Sequence, residues 1–344
     1  MSEQANDGGA TDFGVRLIGC ADDAVLPIGM HDYAEALGRC TLVDKTMFIA
    51  DVLDCDASVM VCCRPEGFGK SMNLSMLRAF LERPVVGRAG RSLFADAQIW
   101  DANGGRYRDE YACYPVISLD FSGAARRGAA VADVVRDALS GECARLLAFL
   151  EAPDLARDKV RHIERVARGV ASEAEVDSVL GVLIELLEMA CDEQVVLLVD
   201  GYDAAWLGRS DARGASGADP AVLLDRVLFD VIAAAGNSLR LACLMGERPG
   251  PAEVALSSRS RSYRLSTPLS TWCDRWFGFS DAEVEALLNH AGREEYLDDA
   301  REWLEGYRFG RTYCSSPARV IGFLGRGCTA PVRADLYGYA DCLM

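Results

Sequence analysis

The sequence predicts an α/β protein: a parallel sheet sandwiched by helices, followed by a small helical lid-like subdomain. The apolar run Val59-Met60-Val61-Cys62-Cys63 leads into RPEGFGKS at 64–71, then into a helix-like run ending near Leu81. A second apolar run, Val195-Val196-Leu197-Leu198-Val199, ends in Asp200. Short apolar runs alternate with longer helical patterns as far as residue 270, and only helical patterns follow Phe279. Apolar runs bounded by polar residues mark strands buried on both faces, as in parallel sheets. Strands separated by helical segments imply right-handed crossovers.

The elements follow in order. Residues 1–25, opening MSEQANDGGATDFG, are polar and acidic without an apolar core, and read as a flexible N-terminal tail. Helices are expected near 32–38 and 46–54, the first loop-bearing strand at 58–63, and its helix at 71–82. The segment 115–121 is the next strand. Helical patterns cover 129–150, 155–168 and 174–191, before the strand that ends at Asp200. Residues 208–220 form a Gly/Asp/Ser-rich loop. A helix near 221–235 returns to a strand at 239–245, the Pro-containing stretch 248–262 reads as a loop, and a fifth strand fits 263–267. Ser280-Asp281-Ala282-Glu283 is a capping box opening a helix, with further helices at 294–306 and 315–325. The expected domains are 26–270 for the α/β unit and 271–330 for the helical lid, with 331–344 as a C-terminal tail.

Composition narrows the function classes. Half of the 344 residues are hydrophobic, enough for a sizeable core. No apolar run approaches the ~18 residues of a membrane helix, so a cytoplasmic location is expected. The net charge of −16 argues against a broad nucleic-acid surface, which needs a basic field. Two local basic spots, Arg126-Arg127 and Arg259, Arg261 and Arg264, read as solvated loops. Thirteen cysteines, an odd number without any C-x-x-C, fit buried reduced thiols, and three scattered histidines offer no metal cluster.

Strand, Gly-Lys-Ser loop and helix together form the context of a phosphate-binding loop, the mark of a P-loop NTPase sheet. Backbone N–H groups and the helix dipole would face phosphate oxygens. Lys70 would reach the terminal phosphates, and Ser71 would take a magnesium position. Asp200, at the carboxyl end of its strand, can hold the same magnesium directly or through water. The expected set is Arg64, Gly67, Phe68, Gly69, Lys70 and Ser71 around the nucleotide, Ser71 and Asp200 around Mg2+, and Lys70, Asp200 and Asp203 as the catalytic candidates. ATP and magnesium are the expected ligands.

Six segments, in order, resemble the AAA-ATPase-like family of bacterial P-loop proteins. They are LPIG at 26–29 with VDKT at 43–46, RPEGFGKSMNLSML at 64–77, VVLLVDGYD at 195–203, GFSDAEVEALL at 278–288 and WLEGYRFG at 303–310. The resemblance implies a Walker A loop at 64–71, a Walker B strand ending at Asp200, and ATP use. In that family the loop reads R-P-R-R-F-G-K-S, so Arg64 at its start is ordinary there. Three departures stand out. Gly201 replaces the Glu of D-E-Y-D, which polarises the attacking water in related ATPases. Glu66 and Gly67 replace two arginines. Met245 replaces the Thr of a Thr-Gly pair, and cannot hydrogen-bond a phosphate or water as Thr can. Family members often carry a second, PD-(D/E)xK nuclease-like domain. Its [DE]-x-K pattern does not occur here, because Val43, Phe68 and Arg157 stand two positions before the three lysines.

Two functions follow from these residues. One is an ATP-binding protein with weak or impaired hydrolysis, in which Asp203 or Glu247 partly substitutes for the missing Glu. The other is a non-hydrolysing nucleotide-binding module that orders sheet and lid for a protein partner. On either, Gly201→Glu is expected to raise turnover where the surrounding geometry permits it.

Overall fold

The computed structural model describes residues 14–19, 26–84, 93–125, 130–207, 219–259, 262–304 and 306–329. β1 (Leu17–Gly19) pairs antiparallel with β2 (Thr41–Val43), so this part of the expected tail is a strand and not a free end. Asp32 opens α1 (Tyr33–Arg39) by accepting the Glu35 amide. α2 (Met47–Leu53) buries Phe48 and Ile49. β3 (Val59–Cys63), the loop and α3 (Lys70–Leu81) follow as expected. β4 (Val116–Asp120) leads to α4 (Val131–Leu146), α5 (Arg157–Ala167) and α6 (Glu173–Cys191). A capping box of Ser172 and Glu175 starts α6. β5 (Val195–Asp200) and β6 (Leu239–Gly246) flank a helical stretch at 220–234.

The sheet order is β4-β5-β6-β3-β7, with β7 at Tyr263–Ser266, and every pairing is parallel. Strand side chains alternate between two cores. Val59, Val61 and Cys63 face the core beneath α4–α6, and Met60 and Cys62 face the core beneath α1–α3. Two buried faces explain the continuous apolar runs.

Two expectations are corrected. The stretch 248–262 is not all loop, since α7 spans Gly250–Ser258. Its prolines, 249 and 251, sit at the N-cap and in the first turn, where a missing N–H costs nothing. The region after Phe279 is also not helices alone. Between α8 (Asp281–His290), α9 (Leu297–Trp303) and α10 (Pro317–Gly325) lies an antiparallel hairpin, β8 (Tyr307–Phe309) with β9 (Thr312–Cys314). The Gly/Asp/Ser-rich loop at 208–218, Arg126-Arg127, Arg261 and the tail beyond 329 lie outside the described residues. No described helix is long and apolar enough to cross a membrane.

The C-terminal helices have their own small core of Val284, Leu287, Leu288, Val320 and Phe323, which also takes in Val43. Lys45 closes this junction with an ion pair to Glu283 at 2.6 Å, and Glu283 also caps α8 through the Ser280 amide. The VDKT and GFSDAEV segments, far apart in sequence, therefore meet.

Candidate functional site

The loop between β3 and α3 is built from two left-handed glycines. Gly67 has φ +79° and Gly69, the N-cap of α3, has φ +77°. Any Cβ would strain both positions. The turn brings the first N–H groups of α3, those of Lys70, Ser71 and Met72, to the helix start, where no preceding carbonyl can satisfy them. Lys70 bends back over the loop. Its Nζ donates to the carbonyls of Arg64 at 2.7 Å and Pro65 at 2.9 Å, and lies 3.7 Å from a Glu247 carboxylate oxygen. Ser71 donates its hydroxyl to Asp200 Oδ2 in a short contact. The carboxyl end of β5 and the start of α3 thus converge on one hydroxyl–carboxylate pair.

Within the expected loop set, the side chains of Arg64 and Phe68 are buried in the interior. Arg64 is fully buried. Its guanidinium donates to Cys63 O, Ser266 O, Ser266 Oγ and Cys273 O over 2.8–3.3 Å, between the rings of Phe277 and Phe309. Its amide donates to Gly246 O at 3.0 Å. Arg64 therefore ties the loop to β6, β7 and the hairpin. Phe68 is buried edge-on against Tyr307 and Phe309, at 4.7 and 4.9 Å. On the loop's other side, Gly67 O accepts the Ser316 hydroxyl and the Ala318 amide, each at 3.2 Å. Glu66, which replaces a family arginine, is exposed.

Asp203, a catalytic candidate from the sequence, holds the backbone that follows β6. It is fully buried, and its Oδ2 accepts the amides of Glu247 at 2.9 Å and Arg248 at 2.6 Å. The Tyr202 hydroxyl donates to Arg248 O at 2.5 Å. These two residues fix the chain where it leaves β6, and Asp203 Oδ1 is buried without a hydrogen-bond partner. They also explain Gly246, where a Cβ would come within 2.6 Å of both Asp203 Oδ1 and Tyr202 Cε1.

Gly201 is equally constrained. Its φ is +67°, and a Cβ would lie 2.6 Å from Ser122 N, 2.7 Å from Ser122 Cα and 3.0 Å from Phe121 C. Backbone atoms cannot step aside as a side chain can. The Gly201→Glu change, expected to raise turnover where the geometry permits it, has no room here.

The carboxylates here hold protons more tightly than usual. Burial, and then the charge of Asp120, raise the pKa of Asp200, while the Ser71 hydroxyl and Lys70 oppose the rise. Burial raises Asp203 against its two amide donors. Burial also raises Glu247, with Lys70 pulling the other way and Asp203 and Glu66 adding to the rise. Sequence reasoning held Glu247 only as a substitute, because nothing in Gly246-Glu247-Arg248-Pro249 forms a motif. The available signal was its place directly after β6, the strand between β3 and β5.

The donor set fits magnesium and a nucleotide phosphate: one hydroxyl and one carboxylate in contact, hard oxygens both, beside an ammonium and a helix start. Among the described residues no group of three or more His, Cys, Asp or Glu is placed to hold a metal.

The profile of the family described as Predicted AAA-ATPase matches residues 27–249. No curated protein matches. Among solved structures, the Walker-type ATPase PABY2304 of Pyrococcus abyssi is similar, at 14% identity and a TM-score of 0.40, over 82% of this chain and 67% of that one.

Proposed function

The chain belongs to the Predicted AAA-ATPase family, more than half of it being matched, and on that premise we propose that it binds magnesium-ATP and hydrolyses it slowly. The observation that carries this reading is the Ser71–Asp200 contact beside Lys70. Gly67, Gly69 and the first N–H groups of α3 cradle the phosphates. Lys70 exchanges its two carbonyl partners for the terminal phosphates. Ser71 and Asp200 hold the magnesium, which supplies charge neutralisation on the β- and γ-phosphates. Slow turnover follows from Gly201, whose position has neither a carboxylate nor space for one. The charge of −16 makes strong nucleic-acid binding unexpected, and the implied setting is the cytoplasm.

A second reading has its own support. The loop contacts α10 through Gly67, Ser316 and Ala318, so a bound nucleotide could order the C-terminal subdomain for a protein partner without turnover. The test of the first reading is ATP affinity in Lys70→Ala. Affinity should fall at least tenfold while the circular dichroism spectrum stays unchanged. A folded Lys70→Ala chain that binds ATP normally would remove the site.

A further inference from the structure

Resting on the ATP-binding reading above, we propose that Glu247 is the carboxylate that orients the attacking water, held in place by Asp203. It would supply from the end of β6 what Gly201 cannot supply from the end of β5.

Topology places it well. β6 lies between β3, which carries the loop, and β5, which carries Asp200. A residue just past β6 therefore stands over the crevice between the phosphate cradle and the metal carboxylate. Distance agrees. Among the described residues Glu247 is the carboxylate paired with Lys70, at 3.7 Å. Lys70 is the ammonium expected on the terminal phosphate, so a carboxylate at that range lies about one water away from the phosphorus. Access agrees too, since the Glu247 side chain is 25% exposed whereas Asp203 is sealed.

Precision comes from the backbone. Asp203 Oδ2 binds the amides of residues 247 and 248, and Tyr202 binds the carbonyl of 248. A side chain whose own amide is held by one hydrogen bond, and the next residue's main chain by two more, is pre-organised for orienting work. Burial raises the proton affinity of Glu247, which makes it a better base than a free carboxylate. Asp120 is the weaker candidate. It stands on β4, beyond β5 from the loop, and its Oδ1 already accepts the Ser122 amide.

The chemistry balances simply. When ATP enters, Lys70 turns to the γ-phosphate and releases Glu247. The water oxygen forms a bond to the γ-phosphorus as the bond to the β–γ bridging oxygen breaks. ADP leaves with that electron pair, Glu247 takes the water's proton, and the proton passes to solvent as phosphate departs.

The experiment compares the unaltered chain with Glu247→Gln, Asp203→Asn and Asp120→Asn. Single-turnover phosphate release from γ-labelled ATP is followed over hours, beside ATP affinity from displacement of a fluorescent analogue. Glu247→Gln should slow release by about 100-fold or more. Its ATP affinity should be unchanged or tighter, because a negative charge leaves the phosphate site. Asp203→Asn should slow release without weakening ATP binding, and Asp120→Asn should alter neither. At saturating ATP and magnesium, release by the unaltered chain should decline on the acid side of its pH profile, and Glu247→Gln should leave only the part of this limb that Asp200 sets. Release from Glu247→Gln at the unaltered rate overturns the proposal. So does a chain that binds ATP but releases no more phosphate than Lys70→Ala, which leaves the binding reading standing. A chain that binds no ATP removes both.

Discussion

Replacing Gly201 with Ala isolates the cost of closing the β5 end. Two penalties apply. The residue sits at φ +67°, where a Cβ costs roughly 1–2 kcal/mol. The Cβ would also meet Ser122 N at 2.6 Å and Ser122 Cα at 2.7 Å, both backbone. Overpacking of that kind costs about 1–3 kcal/mol, so the total is about 2–5 kcal/mol. Gly236 is the internal control. Its φ is +55°, and a Cβ there meets nothing within 4 Å, so Gly236→Ala carries the conformational penalty alone. Urea unfolding of both variants, followed by tryptophan fluorescence, gives the difference directly. Gly201→Ala should lose about 1–3 kcal/mol more than Gly236→Ala. Equal losses would refute the close approach of the 121–122 backbone, and with it the reason that a glutamate cannot stand at 201.

Three further outcomes are expected. Arg64→Leu should destabilise the chain by about 3 kcal/mol or more, since it leaves four oxygens on Cys63, Ser266 and Cys273 without their donor; a thermal melt within 2 °C of the unaltered protein would contradict this. Lys45→Met should cost roughly 3 kcal/mol by stranding Glu283, whose side chain is 13% exposed, and calorimetry of Lys45→Met and Lys45→Met/Glu283→Gln should show the second change recovering part of the loss. Asp200 has a raised pKa, so it gains its proton above the usual aspartate range near pH ~3.9. Protonated, it cannot hold a metal. Magnesium-dependent ATP affinity should therefore weaken as pH falls, starting above that range, and Asp200→Asn should lack this limb. The same shift favours the protonated fold, so Asp200's contribution to stability is greatest at low pH and is lost as pH rises through the raised pKa.

What the sequence disclosed depended on how local each signal was. The strand–loop–helix unit at 59–81 and Asp200 were legible, because an apolar run against Gly-Lys-Ser is a contiguous pattern. The two buried faces of β3 and β5 were legible for the same reason. The role of Arg64 was hidden. Its partners Ser266, Cys273, Phe277 and Phe309 come from three later segments, and a charged residue beside a phosphate loop points by type to the ligand. The partners of Asp203 were hidden in the same way, since only folding brings the amides of 247 and 248 to its carboxylate. The β8–β9 hairpin was missed because strands of three residues, Tyr307–Phe309 and Thr312–Cys314, are too short to show an alternating pattern. α7 is not legible in the sequence because prolines read as helix breakers, although the first turn tolerates them.

The central claim is that Ser71 and Asp200 hold magnesium beside an ATP bound at 67–71. ATP affinity measured by titration calorimetry, with magnesium and with EDTA, tests it most directly in the unaltered chain and in Asp200→Asn. Magnesium should tighten binding at least tenfold in the unaltered chain and have little effect in Asp200→Asn, whose carboxamide can still accept the Ser71 hydroxyl. Binding that ignores magnesium in the unaltered chain, or a magnesium effect that survives in Asp200→Asn, would contradict the account.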